Sequence, residues 1–267
     1  MTRLSYRSVF VSDVHLGYAS CRADYLLDFL RSLRCERLYL VGDIVDLENM
    51  AKRPYWNARH GEVVAEILAL AARGTRVTYI PGNHDAPLRC LAGQRIAGIE
   101  FALNAVHVGA DGRRYRVSHG DEFDAHCATP RWLLRLGDSL QGFVCAVNRR
   151  CNALLRLLGW HYRPLSILLK TRVGAAFRFI REFEQRVADD ARAGGFDGHI
   201  CGHIHYARLH DHDGVVYLND GDWVEHCTGL VEHHDGTFEL LHWTEQRLTL
   251  ARHEASAPVS MPLPVAA

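Results

Sequence analysis

The chain has 267 residues, 48% of them hydrophobic and 23% charged, the makeup of a soluble globular protein with one large core. Thirty-one basic residues balance 31 acidic ones, so no overall charge favours nucleic acid, and any basic surface has to be local. Eight cysteines without a C-x-x-C pair exclude a zinc ribbon or a thioredoxin-like motif, whereas 17 histidines make a histidine-rich site worth seeking.

In chain order, residues 8–12 (SVFVS) read as a short apolar strand. Residues 22–33 carry Tyr25, Leu26, Phe29, Leu30 and Leu33 at helical spacing. LYLV at 38–41 predicts a second strand, 62–74 a helix stopped by Gly74, and RVTYI at 76–80 a third strand. This alternation predicts parallel strands with right-handed crossovers. A hairpin follows over 103–117, turning at Asp111-Gly112. Residues 123–195 read as a helical insertion. Within it, 131–172 interleaves apolar residues with eight arginines and lysines against the single acid Asp138, and 173–192 forms its last helix. Strands resume at 198–202 and 215–220, and 229–243 is a hairpin turning at Asp235-Gly236. One domain over 1–253 with a cap at about 123–195 is expected, followed by a Pro- and Ala-rich disordered tail, 254–267. The N-terminus shows no signal-peptide pattern and no apolar stretch is long enough to span a bilayer, so a cytoplasmic protein with reduced thiols is expected.

Each of five strands ends in a polar signature. Asp13 and His15 follow the first, Asp43 and Asp46 the second, and Asn83, His84 and Asp85 the third. His119 follows the hairpin, and His203 and His205 follow the strand at 198–202. Open α/β sheets bind ligands beyond the carboxyl ends of their strands. Carboxylate and amide oxygen mixed with imidazole nitrogen suits a divalent first-row ion such as manganese, iron or zinc.

The ordered set D-x-H, G-D-x-x-D, G-N-H-D, H and G-H-x-H over residues 13–205 resembles the calcineurin-like metallophosphoesterase superfamily. The resemblance implies an α/β fold: a four-layer α/β/β/α sandwich of two mixed sheets with helices outside. It places Asp13, His15, Asp43 and His205 on one metal ion and Asp43, Asn83, His119 and His203 on another, with Asp43 bridging. His84 becomes the electrophilic or general-acid residue, with Asp46 and Asp85 orienting ligands or His84. FVSDVHLG, LVGDIVDL, IPGNHD, SHGDEFD, CGHIH and LNDGDW, with the basic apolar insertion, look closer still to the UDP-2,3-diacylglucosamine diphosphatases of lipid A synthesis. That likeness implies a lipid-linked nucleotide diphosphate substrate, release of UMP and manganese as the usual metal. It maps substrate contacts to Asp124, Arg163, Ser166 and Lys170. The basic apolar segment 131–172 also suits peripheral contact with the cytoplasmic face of the inner membrane, the balanced charge argues against nucleic acid, and no obligate protein partner is readable. The best-known branch has Arg where this chain has His84. Two alternatives stand beside this one: a phosphoesterase for a soluble substrate (phosphoprotein, cyclic nucleotide or dinucleoside polyphosphate), and a non-catalytic metal-binding scaffold that docks a membrane or partner.

Overall fold

The structure is a computed structural model that describes residues 3–126 and 174–255. Its first strands, β1 (Leu4–Val11), β2 (Leu33–Val41) and β3 (Arg76–Ile80), lie parallel in one sheet. Helices α1 (Ala23–Ser32) and α3 (Ala58–Ala72) connect them, with the short α2 (Leu47–Lys52) between β2 and α3. The same sheet continues through β4 (Arg95–Ile96) and β5 (Ile99–Phe101). On its other side it runs through the antiparallel β11 (Thr228–Glu232), β12 (Phe238–Trp243) and β13 (Arg247–His253). The second sheet has the order β6-β7-β8-β10-β9, from β6 (Ala105–Val108), β7 (Arg114–Val117), β8 (Gly198–Cys201), β9 (Arg208–His212) and β10 (Val215–Asn219). Both sheets are mixed, since β7, β8 and β10 run parallel and the flanking strands antiparallel.

Strand alternation makes the layers. Successive side chains of a strand face opposite sides. Val9 and Val11 of β1, with Leu38 and Leu40 of β2, accordingly join Leu26, Leu30, Val63 and Ile67 under α1 and α3. Their neighbours Phe10, Tyr39 and Val41 turn the other way and meet Tyr115, Val117, Ile200, Val216 and Leu218 of the second sheet. Phe10 stacks on Tyr39 with ring centroids 4.7 Å apart. The outer face of the second sheet is covered by α4 (Gly174–Ala193), whose Phe183, Val187, Ala188 and Ala191 pack on Cys201, Tyr217 and Val215. The order is therefore helices, sheet, sheet, helix, as the resemblance implies.

Some elements exceed the sequence reading. β2 begins at Leu33 rather than at 38, because its partly exposed start pairs with Leu4–Tyr6 of β1. α3 begins at Ala58 rather than at 62, because Asn57 caps it by accepting the His60 N–H at 3.1 Å. β4, β5, β9 and β13 are not among the predicted strands, although Ile99-Glu100-Phe101 and Leu248-Thr249-Leu250 alternate. The first two are only two and three residues long, and β9 and β13 are edge strands with mostly exposed or half-buried positions. Most of the insertion expected at 123–195 and most of the tail expected at 254–267 lie outside the described residues. No helix among the described residues is long and apolar enough to cross a membrane.

Candidate metal centre

The polar signatures converge because β1, β2, β3, β7 and β8 end at one rim of the sandwich, two of them in one sheet and three in the other. Residues just past each strand must turn sharply. Asp13, His15, Asp43, His203 and His205 all adopt left-handed backbone, with φ between 48° and 69°. Such a conformation costs a non-glycine residue roughly 1–2 kcal/mol, and it persists where surrounding structure over-determines it. The turns are themselves tied to one another. Asp13 N–H donates to the Gly42 carbonyl at 3.0 Å, and Val14 and His15 N–H groups donate to the Asp43 carbonyl at 3.0 and 2.9 Å.

Three glycines open room for the cage. A Cβ on Gly82 would lie 2.6 Å from His119 Cδ2, and one on Gly202 would reach Ser12 and Asp13. Gly42, at φ +83°, would collide with the His119 ring. Gly82→Ala is expected to cost about 1–3 kcal/mol by overpacking. The measurements are a thermal melt and a calorimetric titration of divalent metal; unchanged metal affinity would show that the His119–Asp43 packing is not needed for binding.

Hydrogen bonds point one ring nitrogen of His119 and of His15 inward. His119 Nδ1 lies 2.9 Å from the Val41 carbonyl, which can only accept, so Nδ1 carries a proton. Its Nε2 is then 3.3 Å from Asp43 Oδ2 and 3.2 Å from Asn83 Oδ1. In the neutral imidazole, three lone pairs therefore meet at one point. His15 repeats the device: Nδ1 faces Asp46 Oδ2 at 3.1 Å. The buried His15 Nε2 has no hydrogen-bond partner among the described residues and lies 3.9 Å from Asp43 Oδ2 and 4.0 Å from Asp13 Oδ1. Those separations are too long for hydrogen bonds and suit ligands placed around an ion at about 2.0–2.2 Å from each. His205 Nε2 sits 3.0 Å from Asp13 Oδ1. The donor set thus fits divalent ions: among the described residues Asp13–His15–His205 and Asp13–Asp43–His119 each bring three ligand atoms together, and His15–Asp46–His84 forms a third such group beside them. Asp13 belongs to both of the first two groups, and Asp43 Oδ2 comes within 3.9 Å of His15 Nε2 and 3.3 Å of His119 Nε2.

His203 differs in detail. Its ring stands 5.1 Å from that of His119, but its Nε2 pairs with Asp124 Oδ2 at 2.9 Å, and its backbone N–H donates to Asp13 Oδ2 at 2.8 Å. Asp124, expected as a substrate contact, is therefore held against the cage. Arg163, Ser166 and Lys170 lie outside the described residues.

Asp46 serves two histidines. One oxygen meets His15 and the other accepts from His84 Nδ1 at 3.0 Å, leaving Nε2 of the one-third exposed His84 as the nitrogen turned to neither carboxylate. Burial works against charge on His84, but the Asp46 hydrogen bond and the nearby Asp43, Asp46 and Glu48 carboxylates push it up to about 9. Burial likewise opposes ionisation of Asp43, yet His119, His15 and His84 hold it well below the usual carboxylate range. Asp85 does not reach the His84 ring. It accepts from the N–H groups of Asp43, Ile44 and Gly82 and from Tyr79 Oη, so it fixes the two turns instead. Burial, with Asp43 nearby, raises it. The sequence reading missed Tyr79 here, and missed Ser12 and Asp220 beneath Asp13. An acid directly after the fully buried strand V-V-Y-L-N was the available signal for Asp220.

A model of the calcineurin-like phosphoesterase family matches residues 6–207. The chain belongs to the calcineurin-like phosphoesterase family. Among curated proteins it is similar to the UDP-2,3-diacylglucosamine hydrolase of Neisseria meningitidis serogroup B, 26% identical over 240 residues that span 80% of this chain and 88% of that one. The hydrolase of the same name from Aeromonas salmonicida is 25% identical over 251 residues, 84% of this chain and 89% of that one. Among solved structures, Yfce, a phosphoesterase from E. coli, aligns over 93% of this chain and 99% of its own at a TM-score of 0.50 and 13% identity, a likeness of fold. This calcineurin-like phosphoesterase is a metal-dependent hydrolase.

Proposed function

We propose that this phosphoesterase hydrolyses the diphosphate of UDP-2,3-diacylglucosamine to 2,3-diacylglucosamine 1-phosphate and UMP, as a step of lipid A synthesis, with two manganese ions. The observation that carries the reading is the single oxygen of Asp43 within 3.9 Å of His15 Nε2 and 3.3 Å of His119 Nε2. Asp13, His15, Asp43 and His205 would hold one ion, and Asp43, Asn83, His119 and His203 the other. Two ions so held supply the Lewis acidity that makes water nucleophilic near neutral pH and balance charge on the reacting phosphoryl group. The similarity to hydrolases of that name across four fifths of the chain supports the substrate.

The chain's own groups have separate tasks. Asp46 holds the Nδ1 protons of His15 and His84, so that one Nε2 faces the cage and the other is free for substrate. His84, in its cationic form, steadies charge on a phosphoryl or leaving oxygen. Asp85 and Tyr79 keep the Asp43 turn in place. A lipid substrate also needs cations for phosphate and an apolar groove for its chains, and the segment 131–172 supplies both residue types. Arg163, Ser166 and Lys170 belong to that role, beside Asp124, and the same segment would rest on anionic headgroups at the cytoplasmic face of the inner membrane.

The test is UMP release from UDP-2,3-diacylglucosamine by metal-stripped protein reloaded with Mn2+. Release that depends on added metal is expected. No UMP, with turnover of bis-p-nitrophenyl phosphate intact, would replace this substrate by a soluble one. Metal binding with no turnover of either would leave a scaffold.

A further inference from the structure

We propose that Asp220 is a neutral carboxylic acid and that, through Ser12, it positions the Asp13 carboxylate in the metal cage. Ser12 Oγ lies 2.7 Å from Asp13 Oδ2, in short contact with Asp220 Oδ1, and 3.3 Å from the Gly221 carbonyl oxygen. With both carboxyls ionised, all three neighbours only accept, and a serine hydroxyl has one proton to give. Asp13 is the ionised member. Its Oδ2 accepts the His203 N–H at 2.8 Å, and its Oδ1 faces His205 Nε2 at 3.0 Å. The Ser12 proton therefore goes to Asp13. The Ser12–Asp220 contact is then a hydrogen bond only if Asp220 Oδ1 carries a proton and donates it.

The surroundings of Asp220 agree. It is fully buried, and its Oδ2 has no hydrogen-bond partner among the described residues. A bare buried oxygen is far costlier on a carboxylate than on a neutral acid. Burial pushes the Asp220 carboxyl well above the usual range; Asp13 adds to this, while Ser12 and His119 act against it. The loop that carries Asp220 also grips both cage strands. Asn219 Nδ2 donates to the Gly202 carbonyl at 2.7 Å, just before His203, and Trp223 N–H donates to the Asp13 carbonyl at 3.0 Å. The chain Asp220–Ser12–Asp13 is thus the side-chain part of a clamp that aims Asp13, and Asp220 is a positioning residue. Its effect on metal rests on the reading of Asp13 as a ligand; its protonation does not.

The experiment compares wild type, Asp220→Asn, Asp220→Ala and Ser12→Ala. The asparagine amide donates the hydrogen bond that the acid would donate, so Asp220→Asn is expected to keep wild-type Mn2+ affinity by calorimetry on metal-stripped protein. Asp220→Ala and Ser12→Ala are expected to lose about tenfold or more, the scale on which groups behind a ligand act. Infrared difference spectra of metal-free protein at neutral pH should show a protonated-carboxyl band in wild type that Asp220→Asn lacks. Equal loss in Asp220→Asn and Asp220→Ala, or no such band, would overturn the proposal. Should Asp220→Asn fail to fold, aspartate-labelled wild type and Ser12→Ala decide: a protonated-aspartate band that moves without Ser12 supports it, and an absent or unmoved band overturns it. If wild type binds no metal, the reading of Asp13 as a ligand fails, and the infrared result still settles the state of Asp220.

Discussion

Asp43→Ala is expected to abolish metal-dependent turnover, with a fall of at least about 10³-fold, the upper end of what removing one electrostatic stabiliser costs. The residue does three things at once. Its Oδ2 faces both His15 Nε2 and His119 Nε2, its Oδ1 accepts the His84 N–H at 2.8 Å, and its carbonyl receives the N–H groups of Val14 and His15. Only the first two are lost on truncation. Alanine also fits the left-handed backbone at Asp43 poorly, whereas asparagine adopts it readily. Asp43→Asn therefore separates charge from conformation. If turnover needs the shared carboxylate, both variants fail and Asp43→Asn retains the better thermal stability. Steady-state rates with saturating Mn2+ and a melt of each variant check this, and an active Asp43→Asn would mean that the shared oxygen is misassigned.

The second large effect belongs to His84. His84→Ala is expected to lower kcat by about 10²-fold, the lower end of what a positioned acid or base contributes. Wild type should also lose activity as pH rises. The shift of His84 is upward, so the ring is protonated below about 9 and neutral above it, and the cationic form is the one that stabilises phosphoryl charge. Each cation added to the cage disfavours a second positive charge nearby, so in the loaded enzyme the alkaline fall begins at or below that value. His84→Arg keeps the charge at every accessible pH, and it is expected to remove the alkaline limb while retaining much of the rate. A pH profile of kcat for the three proteins decides it. An unchanged limb in His84→Arg would assign the titration to another group.

Much of this site was legible because its residues are ordered along the chain by the strands that carry them. Asp13, Asp43, Asn83, His119 and His203 each sit two or three residues past a strand, with the apolar run plainest for the first three, and the structure brings them to one rim. The strands themselves were readable where both faces are buried, as in β1, β2 and β10. The edge strands β9 and β13 escaped that reading: β9 has one apolar residue, Leu209, and the alternating Leu248 and Leu250 of β13 are exposed rather than buried. What the sequence hid in the site was direction. G-N-H-D does not say that Asp85 grips backbone N–H groups while Asp46, from another strand, grips the His84 ring. Nor does S-H-G-D-E-F-D say that Asp124 reaches the His203 ring. Those pairings depend on turns whose backbone torsions no spacing rule conveys.

The cage is split between two sheets, and this gives the inter-sheet core a second meaning. Asp13, His15, Asp43 and Asn83 ride on one sheet, and His119, His203 and His205 on the other. The gap between these halves is kept by Phe10, Tyr39 and Ile80 against Tyr115, Val117 and Ile200, none of which is a candidate ligand. Protein interiors transmit a change of one methylene, and a displacement of about 1 Å at a reacting centre is enough to cost 10²-fold in rate. The thickness of that hydrocarbon layer is therefore the gauge of the centre. On the proposed ligand set, substitutions among these apolar residues alone would shift the spacing of the two halves with every candidate ligand left in place.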